Sequence, residues 1–403
     1  MPAASERGES ALRWLAVSVI VLSSSLNYLD RMVLAALAPT IQATFHINAR
    51  EYGYLLSAFS LVYAFSSPVA GLLVDRAGLA GGTALVVGLW STAGTLTGLA
   101  TTYGSLMACR ALLGFAESGG IPATGKAFAT YLAPKDRAMG TALNQVGLTI
   151  GASAAPLLTA WCIQHYDWRA AFVAAGIAGF LWIPVWLWST RRAPPIAQEA
   201  SYERASAGEM LRDVRLVSLV AASMMSMTVY SLWTNWTTAF LVARHALSAT
   251  DANRGYAWIP PIAATLGGLT GGWLAQRLIR GGIEVRDARM RASILGGLIT
   301  PLMALAPLAP TPGLATAAIC AGFFGVTCQS VNYYAVPLDT FGPARAAFAI
   351  SALTGSFGLM QTVVSPLIGD WSERFGWGPV CYIVAVLPLA SIPLLRQSLR
   401  GST

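Results

Sequence analysis

Apolar stretches of about twenty residues, the length that crosses a bilayer as a helix, recur along the whole chain between short polar breaks. They fall near 13–37, 52–74, 82–101, 104–131, 138–162, 168–190, 216–241, 255–279, 292–309, 313–338, 344–369 and 377–396. The pattern therefore predicts an all-α polytopic membrane protein with twelve transmembrane helices. Pro301 and Pro307 interrupt the ninth, because proline removes a helix hydrogen bond and clashes with the preceding turn. One long polar segment with Pro194-Pro195 and charges of both signs splits the pattern into six and six. This predicts an N-terminal six-helix half over 1–190, a cytoplasmic linker over 191–215 and a C-terminal six-helix half over 216–403. The halves echo each other: Gly71-Leu-Leu-Val-Asp75-Arg76 closes the second helix, and Gly272-Trp-Leu-Ala-Gln276-Arg277 is expected to close the eighth, about half a chain later. Two repeated halves around a central site are the layout of an alternating-access secondary transporter. In that layout Asp75 and Arg76, beside glycines that permit close helix approach, read either as a gate latch or as a capped and packed turn.

Composition narrows the class. Of 403 residues, 55% are hydrophobic and 11% charged, against about 25% charged in a soluble domain. The net charge of +8 does not imply nucleic acid, because the basic residues sit between the spans, where they set orientation. Arg76, Lys135, Arg137, Arg191, Arg192, Arg277, Arg280, Arg286, Arg289 and Arg291 share one side if the N-terminus is cytoplasmic, and Arg396 and Arg400 place the C-terminus there too. Arg50, Arg169, Arg244, Arg254 and Arg374 are the outer exceptions. Ala36-Leu37-Ala38 imitates a signal-peptide cleavage site, but Asp30-Arg31 interrupts the approach to it. Cys109, Cys162, Cys320, Cys328 and Cys381 lie in spans without a CxxC spacing, and His46, His165 and His245 lie near span ends. With no HExxH or GxSxG frame, no enzyme, metal site or bound cofactor is expected. The expected surroundings are the lipid bilayer of a bacterial inner membrane, with the chain a monomer.

Charged residues inside the spans carry the chemistry. Asn27-Tyr28-Leu29-Asp30-Arg31 puts an acid beside a base within the first span, and each charge there costs about 2.5–3.5 kcal/mol, so such groups mark ion or substrate routes or lock helices together. The fourth span carries Arg110 and Glu117 seven residues apart, on one face. Counting about 1.5 Å per residue from the outer end, Arg110 lies about 9 Å deep, Arg31 about 14 Å and Glu117 about 20 Å. If the two helices face, Asp30, Arg31, Arg110 and Glu117 form a neutral buried quartet. As a site, it offers an arginine fork suited to a carboxylate or phosphate; as structure alone, it leaves nothing for a ligand. Burial favours a neutral carboxyl and a neighbouring arginine an ionised one, so Asp30 and Glu117 are the candidate proton carriers. Tyr28 and Tyr63 lie at similar depth as candidate substrate contacts, with Asn144, Gln145 and Thr149 on the fifth helix ranked lower. In the second half, Tyr230, Trp233 and Thr237 share a face of the seventh helix, and Gln329, Asn332 and Tyr333 mark the tenth. Such aromatic faces are more often packing than binding wall.

Asn27-Tyr28-Leu29-Asp30-Arg31, Arg110-x-x-x-Gly114-x-x-Glu117-x-x-x-x-Pro122 and Pro134-Lys135-Asp136-Arg137 resemble the major facilitator superfamily, and within it the anion:cation symporter family of sugar-acid and organic-anion transporters. The stretch from Gly147 through Pro156 to Trp168-Arg169 is similar to the bacterial hexuronate and galactonate carriers. The resemblance implies proton-driven import of a small carboxylate, with Arg31 and Arg110 on the substrate and Asp30 and Glu117 on the proton; a sodium ion is the alternative coupling ion. Family members for sugar acids often carry an asparagine on helix eleven, where this chain has Ser356, Leu359 and Gln361. Two competing readings are a proton-coupled exporter of drugs or metabolites and a receptor that binds an anion without moving it. The exporter is disfavoured because Gly78-Leu-Ala-Gly-Gly82 lacks its basic run, and the receptor because nothing here resembles a signalling domain.

Overall fold

A bilayer interior offers no water to backbone N–H and C=O groups, so a spanning chain must satisfy them within its own segments. The computed structural model does so with helices throughout. It describes residues 2–133, 136–196, 210 and 212–400, excluding the side chains of residues 2–7, 68, 75, 138, 342–344, 346 and 347. The helices are α1 (Pro2–Ala36), α2 (Ala38–Phe45), α3 (Ala49–Arg76), α4 (Gly78–Gly98), α5 (Tyr103–Glu117), α6 (Gly120–Tyr131), α7 (Arg137–His165), α8 (Arg169–Arg192), α9 (Val214–His245), α10 (Ala249–Ala252), α11 (Pro260–Arg280), α12 (Val285–Ile299), α13 (Pro312–Phe375), α14 (Trp377–Ala390) and α15 (Ile392–Ser398). Among the described residues, nine helical segments are long and apolar enough to cross a membrane. α3, the α5–α6 pair and α11 carry the remaining crossings of a twelve-helix bundle. Continuous helix over 64 residues would reach about 96 Å, three times a bilayer core, and α13 accordingly holds two spans, Pro312–Phe341 and Phe348–Phe375.

Two boundaries differ from the sequence pattern, the fourth and the eighth, and the ninth follows it. The fourth span is broken between α5 and α6 at Ser118 and Gly119, four residues ahead of Pro122, whose ring cannot sit against an intact preceding turn. The ninth changes to 3₁₀ geometry over Thr300–Leu308, as its two prolines require. The eighth runs on past Arg277 to Arg280 and stops where Gly282 takes φ +87°, so the repeat of the second-helix turn is displaced by three residues. The linker expected over 191–215 falls largely outside the described residues. At its end, Asp213 caps α9 by accepting from the Arg215 backbone N–H at 2.8 Å, and the Arg215 side chain holds its carboxyl below the usual range.

The helices group into two units: Met1–His46 with Ala58–Ala200, and Ile47–Ser57 with Ser201–Thr403. In the first, small residues let backbones approach, the usual substitute for a hydrophobic driving force in lipid. Gly147 and Gly151 of α7 lie against Val21 and Ser25 of α1, and Gly176 and Gly179 of α8 against Ser91 of α4. Trp182 and Trp186 stack at 5.4 Å, and their ring N–H groups donate to the Val19 carbonyl at 2.7 Å and the Ala80 carbonyl at 3.1 Å. In the second unit, Gly267 and Gly271 of α11 lie against Phe324 and Cys328 of α13, and Ile47–Ser57 packs on the end of α13, with Gly53 against Pro366 and Ser57 donating to the Thr362 carbonyl at 2.6 Å. Among the arginines expected on the outer side, Arg50 and Arg374 are held on Asp370, Arg169 on Asp167 and Arg244 on the Pro307 carbonyl.

The glycine contacts make a controlled prediction. Any Cβ at Gly151 runs into the Ser25 carbonyl, whereas one at Gly125 meets nothing within 4 Å. Gly151→Ala should cost about 2 kcal/mol through overpacking and lower the melting temperature of the purified protein, while Gly125→Ala leaves it unchanged or raises it.

Candidate functional site

The site is built where α1, α3 and α5 meet in the first unit. Gly114 lets α5 come against the backbone of α3 at Phe59, since any side chain there would strike the Phe59 carbonyl. That contact sets Arg110 and Glu117, one turn to either side of Gly114, beside the face of α3 that carries Phe59 and Tyr63. From α1, Arg31 reaches across and its Nε donates to Glu117 Oε2 at 2.5 Å. Glu117 is fully buried and the Arg31 side chain 20% exposed. Of the quartet expected between the first and fourth spans, Arg31 and Glu117 form an ion pair.

Aromatic rings enclose the guanidiniums. Arg31 Cζ lies 4.7 Å from the Phe59 ring centroid, 4.7 Å from that of Tyr63 and 5.6 Å from that of Tyr28. Arg110, 2% exposed, has its Cζ 4.9 Å from the same Phe59 ring. Phe59 and Tyr63 are themselves stacked at 5.7 Å. Ring faces attract cations most when both are desolvated, so this cage stabilises two like charges that would otherwise repel.

The second acid stands apart. Asp30 is 2% exposed, and neither of its oxygens finds a hydrogen-bond partner among the described residues. It faces the α4 backbone at Gly94, where a Cβ would sit 3.4 Å from Oδ1, and the charges that reach it are those of Glu117 and Arg110. The quartet is thus an Arg31–Glu117 pair, Arg110 beside the ring it shares with Arg31, and one buried acid without hydrogen bonds among the described residues. Asn27 turns toward Glu117, yet Asn27 Nδ2 and Glu117 Oε1 complete no hydrogen bond with the described residues. Buried polar groups left open in this way are the exception in folded proteins, and here they converge on one place.

Other candidates lie elsewhere. Gln145 is exposed on α7, with its carbonyl taken by the Thr149 hydroxyl at 3.0 Å. Asn144 is half-buried on the same helix. Trp233 is a packing residue: 1% exposed, it donates to Met303 Sδ at 3.2 Å and meets Phe240 edge-on. Tyr230 packs edge-on to Phe323, and Thr237 donates to the Trp233 carbonyl. Gln329 accepts from Ser226 at 2.5 Å and donates to the Ser293 and Pro388 carbonyls; Asn332 donates to the Cys328 carbonyl, and Tyr333 shares a hydrogen bond with Ser391. Gln329 and Tyr333 are thereby occupied in joining helices of the second unit, and Asn332 also donates to the Gly271 carbonyl of α11 at 3.4 Å. The Asp75 side chain lies outside the described residues; Arg76 is exposed at the end of α3, where Lys126 donates to the Val74 carbonyl at 3.4 Å. Phe59 was not singled out from the sequence, although its place one helical turn before Tyr63 puts both rings on one face.

Removing one member of a buried pair strands the other, at about 3 kcal/mol. Glu117→Ala should therefore lower the unfolding temperature of the purified protein, and Arg31→Met combined with Glu117→Leu should recover most of the loss. A Glu117→Ala protein as stable as the parent would contradict this geometry.

Comparison with known proteins adds to this site. A family model described as Major Facilitator Superfamily matches residues 20–365. The hexuronate transporter of Escherichia coli K12 is 28% identical over 398 residues, covering 94% of this chain and 92% of the relative. The galacturonate transporter of Dickeya chrysanthemi is 30% identical over 281 residues, covering 65% and 81%. A solved bacterial homologue of the human lysosomal transporter Spinster superimposes with a TM-score of 0.76 at 22% identity, over 97% of this chain and 94% of that one, a likeness of fold alone.

Proposed function

For this chain, which belongs to the major facilitator superfamily of membrane transporters, we propose proton-coupled symport of a small organic anion, a sugar acid such as a hexuronate or aldonate, into the cell by alternating access. The observation that carries the reading is the buried Arg31–Glu117 pair beside a second buried acid, Asp30, that has no hydrogen bonds among the described residues. The sugar-acid transporters among the relatives support the substrate class. The distribution of basic residues supports a multi-pass inner-membrane protein with both termini cytoplasmic. It works as a monomer in the bilayer, with no enzymatic step.

The chemistry follows from charge balance. With both acids ionised, the two arginines and two acids sum to zero. A carboxylate that engages Arg31 competes with Glu117 for the same fork, and Glu117 released from its guanidinium in an apolar surrounding is costly as an anion. Taking up a proton removes that cost. One carboxylate and one proton entering together leave the charge of the site unchanged, so neither is favoured without the other. Arg110 offers the second fork, Tyr28 and Tyr63 hydroxyls for the remaining oxygens, and Asp30 a second station for the proton.

Arg31→Ala and Arg110→Ala should each abolish uptake of D-galacturonate into proteoliposomes, and lysine at either position should transport poorly, because an ammonium cannot reproduce the planar fork. Undiminished substrate binding in either alanine variant would refute the assignment. Glu117→Gln removes the titrating group while keeping the shape: it should support counterflow yet ignore an imposed pH gradient. Full proton-driven accumulation by Glu117→Gln would leave Glu117 a purely structural partner of Arg31, with Asp30 or a sodium ion as the coupling element.

A further inference from the structure

Two guanidiniums share the Phe59 ring, Arg31 at 4.7 Å and Arg110 at 4.9 Å from its centroid. They come from different helices, α1 and α5, and the ring belongs to a third, α3. A guanidinium stacked on a ring by its face still carries its N–H donors along its edge. Arg31 illustrates both, since Glu117 takes its Nε while rings line its face. Phe59 is 6% exposed, and its position is fixed by the Gly114 contact, which admits no side chain on α5. Packing alone would be met by any apolar side chain; a π face directed at two cations would not.

We propose that Phe59 is a positioning residue of the anion site, whose ring face holds the Arg31 and Arg110 forks toward one shared carboxylate and makes their closeness tolerable. This rests on the sugar-acid reading above and adds to it a residue that touches no substrate. It acts on affinity, through the orientation of the two forks, and leaves the alternation between states to the rest of the bundle. The ring's electrostatic face, rather than its volume, is the property that matters.

The test uses the full-length protein in proteoliposomes with D-galacturonate counterflow, comparing the parent with Phe59→Leu and with 3,4,5-trifluorophenylalanine incorporated at position 59. Fluorination keeps the ring's shape and drains its face of negative charge, so it remains informative if Phe59→Leu fails to fold. The expected result is a rise in KM of about tenfold for either replacement, with the maximal rate within about twofold and the melting temperature of the fluorinated protein unchanged. An unchanged KM in the fluorinated protein overturns the proposal, because a packing role predicts that outcome. A parent protein that neither binds nor exchanges D-galacturonate overturns the sugar-acid reading itself, and is distinguished by failing before any substitution is made.

Discussion

A carboxylate and a guanidinium held together inside an apolar bundle set the terms for everything around them. Each ion gave up hydration worth several kcal/mol, recovered only while the two remain in contact or find equivalents. Glu117 is fully enclosed, so its partner must reach it across a helix interface, and Arg31 does so from α1. Gly114 meets that demand by bringing α5 onto α3, and Gly147 and Gly151 by bringing α7 onto α1 behind Arg31. The rings of Phe59, Tyr63 and Tyr28 then supply a polarisable lining for the Arg31 guanidinium. The result is a site closed by its own Arg31–Glu117 pair.

Much of this was legible in the sequence because membrane spans punish misplaced charge. Asp30, Arg31, Arg110 and Glu117 stand out against 55% hydrophobic residues, and counting depth from the span ends put Arg31 between Arg110 and Glu117, on whose helix its partner lies. The sequence could not say which acid Arg31 would take: neighbours in the chain, Asp30 and Arg31 point to different helices, the first to the Gly94 backbone of α4 and the second to Glu117. The role of Phe59 was hidden because an aromatic residue in an apolar span carries no contrast; only its spacing from Tyr63 hinted at it.

The second half was less readable for a related reason. Gln329, Asn332 and Tyr333 stand out in the sequence only as polar marks on the tenth helix, and in the fold they bond Ser226, Ser391 and nearby carbonyls. A polar side chain in a span pays its desolvation either by helix-to-helix bonds or by a ligand, and composition does not distinguish the two. Proline breaks, by contrast, were read correctly at Pro301 and Pro307 and missed at Pro122, where the kink lies four residues upstream of its cause.

In the mechanism we propose, the division of labour is simple: the arginines define an anion site, the acids make its occupancy by an anion conditional on a proton, and the rings keep both arginines in place. Such a mechanism would tie substrate movement to proton movement through an unchanged total charge. The most direct test is to add D-galacturonate to lightly buffered proteoliposomes holding the wild-type protein, with no imposed pH, sodium or voltage gradient, and to record external pH. The account predicts alkalinisation of the medium that begins with substrate addition and is the same with or without sodium. Uptake of the sugar acid with no pH change, or only when sodium is present, would contradict it.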